Sequence, residues 1–301
     1  MSEAMINALR TSQAADGGWG AYPGAGSTVE CTALALMALE AGAPDAAGET
    51  GRAVDWLTAR QNEDGGWPVE DGVRESAWVT TLAVMALARR TGVEDRALHG
   101  TEWILAERAA QVSWRVRLRE FLRGSQVVEL DFSLNGWPWA TGTFSWVEPT
   151  VYALLALKRA AGAGANRRAR ARIEEAQAML LDRTCPGGGW NYGNKRVLDV
   201  DLEPYPDTTA LVLLALQDAS HGPAIDDGFR ALDRLIDARA SGLALALGAL
   251  ARRAWQHDPR PWTARLAARF DETAFLGETR SIAFGVMAVA PRSNPFLLPQ
   301  A

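Results

Sequence analysis

Two cysteines, Cys31 and Cys185, are all that the 301 residues contain. That is too few for a disulfide scaffold, and it fits a reducing compartment. Long apolar runs are missing as well: nothing reaches the ~18 uninterrupted apolar residues of a membrane span. The first 13 residues lack the apolar core of a secretory signal, so a soluble, cytoplasmic protein is expected. Positive charge is in deficit. A net charge of −5 and a pI near 5.4 argue against a nucleic-acid partner, which needs a basic face. Histidine is scarce too, with only His99, His221 and His257.

What the chain has in quantity is repetition. Four times a glycine–tryptophan turn leads into an apolar run ending in Ala-Leu: Trp19 before 30–39, Trp67 before 78–87, Trp137 before 148–157 and Trp190 before 207–216. Aligned on that Ala-Leu, Thr32, Thr80, Thr150 and Thr209 fall in register, and two residues ahead of each stand Glu30, Trp78, Glu148 and Asp207. The four tryptophans are spaced by 48, 70 and 53 residues. A repeat of about 50 residues with two helical stretches per unit is an array of helical hairpins. The apolar runs have no polar face, so other helices must cover them on most sides.

Amphipathic segments over 2–12, 51–61, 98–108 and 167–182 read as the outer partners of these runs, with 41–50 as a Gly/Pro/Ala connector. Beyond residue 220 the pairs 226–239 with 241–250, and 262–270 with 281–289, continue the pattern without a Gly-x-Trp turn. The long third spacing is filled by 111–124, where Arg115, Arg117, Arg119 and Arg123 alternate with Trp114, Val116, Leu118, Phe121 and Leu122. This insertion reads either as a solvated segment pairing with Glu120 and Glu129 or as a basic surface for anionic lipid or diphosphate. The run Arg167–Arg172 reads as a solvated helix face paired with Glu174 and Glu175.

Gln13-x-x-x-Gly17-x-Trp19 and Gln61-x-x-x-Gly65-x-Trp67 match the Gln-x-x-x-Gly-x-Trp repeat of the squalene and oxidosqualene cyclases. Over roughly residues 10–220 the chain resembles that family, and related repeats occur in protein prenyltransferase β subunits. The third and fourth units lack the glutamine, although Gly188-x-Trp190 keeps the end of the motif. With the two pairs beyond residue 220, six hairpins close an all-α, (α/α)6 toroid, with inner helices around a cavity and outer helices around those. One domain over 1–301 is expected, its last third (about 220–301) degenerate.

Protein prenyltransferase β subunits hold zinc through Asp, Cys and His near inner-helix starts. None of the three histidines falls at such a start, and Cys31 reads as a small core residue, so no metal site is expected. Asp226-Asp227 does not complete the Asp-Asp-x-x-Asp pattern that binds magnesium for diphosphate ionisation. Asp199-x-Asp201-x-Glu203 reads either as a solvated loop or as oxygen ligands for a hard cation. Mg2+ enters only if the substrate is a diphosphate.

There remains protonation-initiated cyclisation. Class II terpene cyclases such as the squalene-hopene cyclases carry Asp-x-Asp-Asp-Thr-Ala at an inner-helix start, and oxidosqualene cyclases carry Asp-Cys-Thr-Ala. Tyr205-Pro206-Asp207-Thr208-Thr209-Ala210 resembles these motifs in its central Asp alone. The resemblance implies Asp207 as proton donor, its pKa raised by burial, and Thr208 where the family's next Asp stands. Trp78, Trp146, Tyr152, Tyr192 and Tyr205, in or beside the inner-helix starts, serve either to steady a carbocation through their faces or to pack the core. Glu30 and Glu148 share the repeat position of Asp207, so an acid there is a site residue or an N-cap.

Two functions fit. One is a class II-type terpene cyclase or isomerase that protonates an isoprenoid alkene or epoxide. Its partner is a hydrophobic isoprenoid-like small molecule, with no cofactor, nucleic acid or membrane contact expected. The other is a non-catalytic toroid that binds a lipid or a protein. An aromatic-lined void of roughly several hundred cubic ångströms around Asp207 suits the first; a plugged centre suits the second.

Overall fold

The hairpin arithmetic translates directly into helices. In a computed structural model that describes residues 2–88, 90–110, 130–131, 133–161, 166–237, 240–292 and 294–299, outer and inner helices alternate along the chain. They are α1 (Ser2–Ser12), α2 (Val29–Gly42), α3 (Ala47–Thr58), α4 (Thr80–Leu87), α5 (Glu94–Ala106), α6 (Val147–Ala161), α7 (Arg167–Asp182), α8 (Pro206–Ala215), α9 (Pro223–Leu235), α10 (Gly242–Ala254), α11 (Arg260–Thr273) and α12 (Thr279–Val289). The even-numbered helices stand side by side in a closed ring, with α12 against α2, and the odd-numbered helices pack outside them. The fold is an α/α toroid. Its only strands among the described residues are β1 (Arg196–Val197) and β2 (Val200–Asp201), a two-residue antiparallel hairpin in the loop before α8.

The tryptophan turns explain why the ring is regular. Trp19, Trp67, Trp137 and Trp190 each donate their backbone N–H to the in-register threonine, Thr32, Thr80, Thr150 or Thr209, at 2.8–3.0 Å. Their indole N–H groups donate to the last turns of the preceding outer helices, at Leu9, Leu57, Ile104 and Leu180. Each ring is buried, so every turn satisfies its polar atoms while tying an outer helix to an inner one. Gln13 and Gln61 extend the tie to the next unit. Gln13 Nε2 donates to Gly17 O and Glu49 O, and Gln61 Nε2 to Gly65 O and Arg96 O. Gly65 lies at φ +89°, and a Cβ there would come within 2.7 Å of the His99 carbonyl oxygen, so only glycine fits.

Where the third unit lacks the glutamine, a residue of the next outer helix replaces it. The Arg172 guanidinium stacks 3.9 Å from the Trp137 ring centre and reaches Asn135 O, Gly136 O and Glu107 O. Arg172 is thus buried and not part of a solvated face, although it does pair with Glu175. Helix α3 begins earlier than its amphipathic pattern suggests, and Thr50, inside the expected connector, is buried with its hydroxyl donating to Ala46 O. The basic segment 111–124 lies outside the described residues. No described helix is long and apolar enough to cross a membrane.

Candidate functional site

All inner helices follow their outer partners in the same sense, so their first turns meet at one end of the ring. Glu30, Glu148 and Asp207 are each the second residue of an inner helix, and Trp78 stands two residues ahead of α4. Among the described residues, Glu30 and Asp207 supply no capping bond. Thr28 caps α2 by accepting from Cys31 N–H, and Pro206 opens α8 without a side-chain cap. A plain capping role for Glu30 and Asp207 is therefore not what the backbone uses them for.

The residue that organises this mouth is Arg280, the second residue of α12. Aligning Met287-Ala288-Val289 with Met37-Ala38-Leu39 places Arg280 at the repeat position of Glu30. The signal was thus in the sequence but hidden by the missing turn. Arg280 donates to the Glu148 carboxylate and, at 3.0 Å, to the Tyr152 oxygen, and its Nη1 lies 3.5 Å from Glu30 Oε1. Tyr152 in turn donates to Glu148 at 3.2 Å. Burial opposes the Arg280 charge, but Tyr152, Glu148 and Glu30 outweigh it and hold the guanidinium well above its usual range. Burial also pushes the Tyr152 hydroxyl well up, which keeps it a donor.

Glu30 has the poorer share of this cluster. Its Oε1 is shielded from solvent without a hydrogen-bond partner. Burial raises its pKa; Arg280 opposes that rise, while Glu148 and Glu278 add to it. Beside it, burial pushes the Cys31 thiol up to about 11, an inert core thiol.

Asp207 has a different setting. It is half-buried at the rim, and among the described residues it forms no hydrogen bond or ion pair. Tyr192 and Tyr205, with ring centres 4.9 Å apart, stand beside it, both about half exposed. Burial raises the Tyr192 pKa, and the nearby charges of Asp207 and Glu148 add to it. Thr208 points into the core. Trp146, half-buried, pairs its backbone with Trp137 across the preceding loop.

From the mouth downward the bore is filled. Trp78 stacks on Tyr152 at 5.6 Å, and Trp139 meets Trp78 edge-on at 4.8 Å. From the opposite end Phe296, fully buried, packs its ring against Tyr152 and Phe284. The tail that carries it is pinned by Arg159 on Pro295 O and Leu297 O, and by Gln217 on Phe296 O and Leu298 N–H. A cleft of about 530 Å³ lies elsewhere, between Arg253, Pro259 and Ala290, and holds none of the mouth residues.

The mouth face has an apolar rim. Tyr22, Phe144, Tyr192, Leu198, Val200, Leu202, Tyr205 and Leu276 are all exposed, and all lie in loops that lead into inner helices. Two of these loops carry left-handed backbone without glycine, at Leu198 and Asp199 and at Ala274, Phe275 and Leu276. Such conformations cost roughly 1–3 kcal/mol each and persist where the surroundings over-determine them. In the second loop they turn Phe275 into the core and leave Leu276 83% exposed.

No family model matches the chain, and no curated protein does. Solved structures share its fold at low identity. A type II terpene cyclase, MstE from Scytonema, is 18% identical, with 90% of this chain and 77% of that chain covered and a TM-score of 0.55. The GH76A α-1,6-mannanase of a Salegentibacter species is 10% identical over 95% and 96% of the two chains, with a TM-score of 0.62. A cellobiose 2-epimerase from Spirochaeta thermophila is 13% identical over 93% and 91%, with a TM-score of 0.56. Likeness at this level establishes the α/α toroid and leaves the chemistry to the site.

Proposed function

We propose that the protein is an enzyme that performs acid–base chemistry on an apolar, isoprenoid-like molecule held at the mouth of the toroid. The reaction is an isomerisation or cyclisation that begins with protonation of an alkene or epoxide. One observation carries this reading: carboxyl groups from three inner helices, Glu30, Glu148 and Asp207, gather at the mouth with Trp78, Tyr152, Tyr192 and Tyr205. Acids supply and remove the proton, and aromatic faces favour a cation between those steps. The apolar rim from Tyr22 to Leu276 offers a greasy substrate its contact surface. In sequence, Asp207 resembles the central Asp of the class II cyclase motif. The likeness to a type II terpene cyclase agrees with this reading without carrying it.

A second reading has its own support. With the bore filled by Trp78, Trp139, Tyr152 and Phe296, a substrate has the mouth and not a deep cavity to occupy. That packing favours a non-catalytic toroid whose rim binds a lipid or a protein. Incubation with prenyl diphosphates, linear terpenes and their epoxides, followed by product analysis, separates the two. A rearranged product supports the enzyme. Saturable binding of these molecules without product supports the binding toroid.

A further inference from the structure

The mouth acids live in opposite environments, and that difference assigns their roles. Glu148 is committed: it accepts from both Arg280 and Tyr152. Glu30 is sheltered and undersupplied. Its Oε1 has no hydrogen-bond donor, and Arg280 approaches it only at 3.5 Å while donating elsewhere. The groups facing it are mostly acidic: Glu148 and Tyr152 from α6, Glu278 and Arg280 from the last unit, and Cys31 on its own helix. Glu70, on the loop paired with Thr28, is exposed. One guanidinium among the carboxylates of Glu30, Glu148 and Glu278 leaves an excess of negative charge that a proton on Glu30 reduces. Asp207, in the fourth of six units and so across the ring from Glu30 in the first, is half open to water and free of partners among the described residues.

We propose that Glu30 is the acid of this site and Asp207 its base. The assignment rests on the reading that the mouth performs acid–base chemistry. A carboxyl group sheltered without a hydrogen-bond donor and one half open to water divide into proton donor and proton acceptor. In the first step the Glu30 O–H bond breaks, and the π electrons of the substrate alkene (or an epoxide oxygen lone pair) take the proton. A carbocation and the Glu30 carboxylate remain. After rearrangement the Asp207 carboxylate removes a proton from the carbon next to the cation, and that C–H pair becomes the new double bond. Asp207 returns its proton to water and Glu30 regains one from water, so substrate and product are isomers.

The test reads the proton directly and turnover separately. Followed as pH rises, infrared difference spectra should contain the carbonyl band of a neutral carboxylic acid that outlasts those of exposed carboxyl groups. Glu30→Gln should remove it, and Asp207→Asn should leave it. In Glu148→Gln, which takes away a like charge, the same band should vanish at lower pH than in the parent, a readout that stands even if Glu30→Gln does not fold. With a substrate from the terpene and epoxide panel, Glu30→Gln should lose roughly 10²–10⁴-fold in turnover. Asp207→Asn should still consume substrate but release water-trapped alcohols in place of alkene. A band lost in Asp207→Asn, or missing from the parent, overturns the assignment and leaves the enzyme reading standing. A band that behaves as expected in a protein that converts no member of the panel overturns the enzyme reading instead.

Discussion

Arg280 on the last inner helix donates to the Glu148 carboxylate on the third, so one ion pair spans the ring just below its mouth. The pair is sheltered, with side-chain exposures of 22% and 10%. Breaking it from one side strands a charge in a poorly solvated place. Arg280→Ala should therefore cost roughly 3–5 kcal/mol in urea unfolding. The double variant Arg280→Ala, Glu148→Gln should recover part of that loss. The exposed pair Arg196–Asp201 gives the contrast, since its removal should cost less than about 1 kcal/mol. Equal losses at the two places would refute a structural role for the spanning pair.

The tryptophan turns should dominate stability. Trp67 is buried, takes Thr80 Oγ1 on its backbone N–H and gives its indole N–H to Leu57 O. Trp67→Ala should cost roughly 3–5 kcal/mol. Thr80→Val keeps the shape but leaves the Trp67 N–H unpaired, for roughly 1–3 kcal/mol. Thermal and urea melts of both variants check the ranking, which a parent-like Trp67→Ala melt would contradict.

Phe296 closes the bore, so its removal should open one. Phe296→Ala should lose roughly 3–5 kcal/mol and leave a dry apolar cavity against Tyr152 and Phe284. Apolar cavities of this kind bind xenon or benzene. Either ligand should raise the melting temperature of the variant and not of the parent; no difference would mean that the ring collapses into the space.

A pH prediction follows from Glu30. Burial, aided by Glu148 and Glu278 and opposed by Arg280, raises it above the ordinary value of 4.5. The folded state then holds a proton that the unfolded chain releases. The stability this contributes is fully present below about pH 4.5 and disappears as pH rises through the folded-state pKa. Between those points, parent stability relative to Glu30→Gln should fall with rising pH. A difference that is flat, or that grows with pH, would contradict a raised Glu30.

Asp207→Asn should melt like the parent, within about 0.5 kcal/mol, because no bond among the described residues depends on that carboxylate. A loss of several degrees would mark Asp207 as structural.

The repeat itself was legible in the chain. Threonines in register behind Gly-x-Trp turns specify where each inner helix begins, because the turn's N–H needs that hydroxyl and the indole needs the preceding helix. Apolar runs without a polar face, such as 210–216, specify burial on all sides, and hence the inner ring. These are relations within one unit, spanning 10–33 residues and decided by hydrogen-bond demand and periodicity. The placement of Arg172 was not among them. Its run of arginines looks solvated until the Trp137 face of the previous unit lies against it.

The mouth belongs to the tertiary structure. Glu30, Glu148 and Asp207 share a repeat position in the sequence, but nothing local distinguishes a committed carboxylate from a sheltered or an open one. Ring closure made that distinction. It brought Arg280 of the last unit between Glu30 of the first and Glu148 of the third, with Thr279 bonded to Gly20 O and Ala21 O across the seam. It also carried Phe296, from the end of the chain, into the bore beneath Tyr152. Charge and packing at these places depend on distances between residues more than a hundred positions apart, and only the closed ring sets those distances.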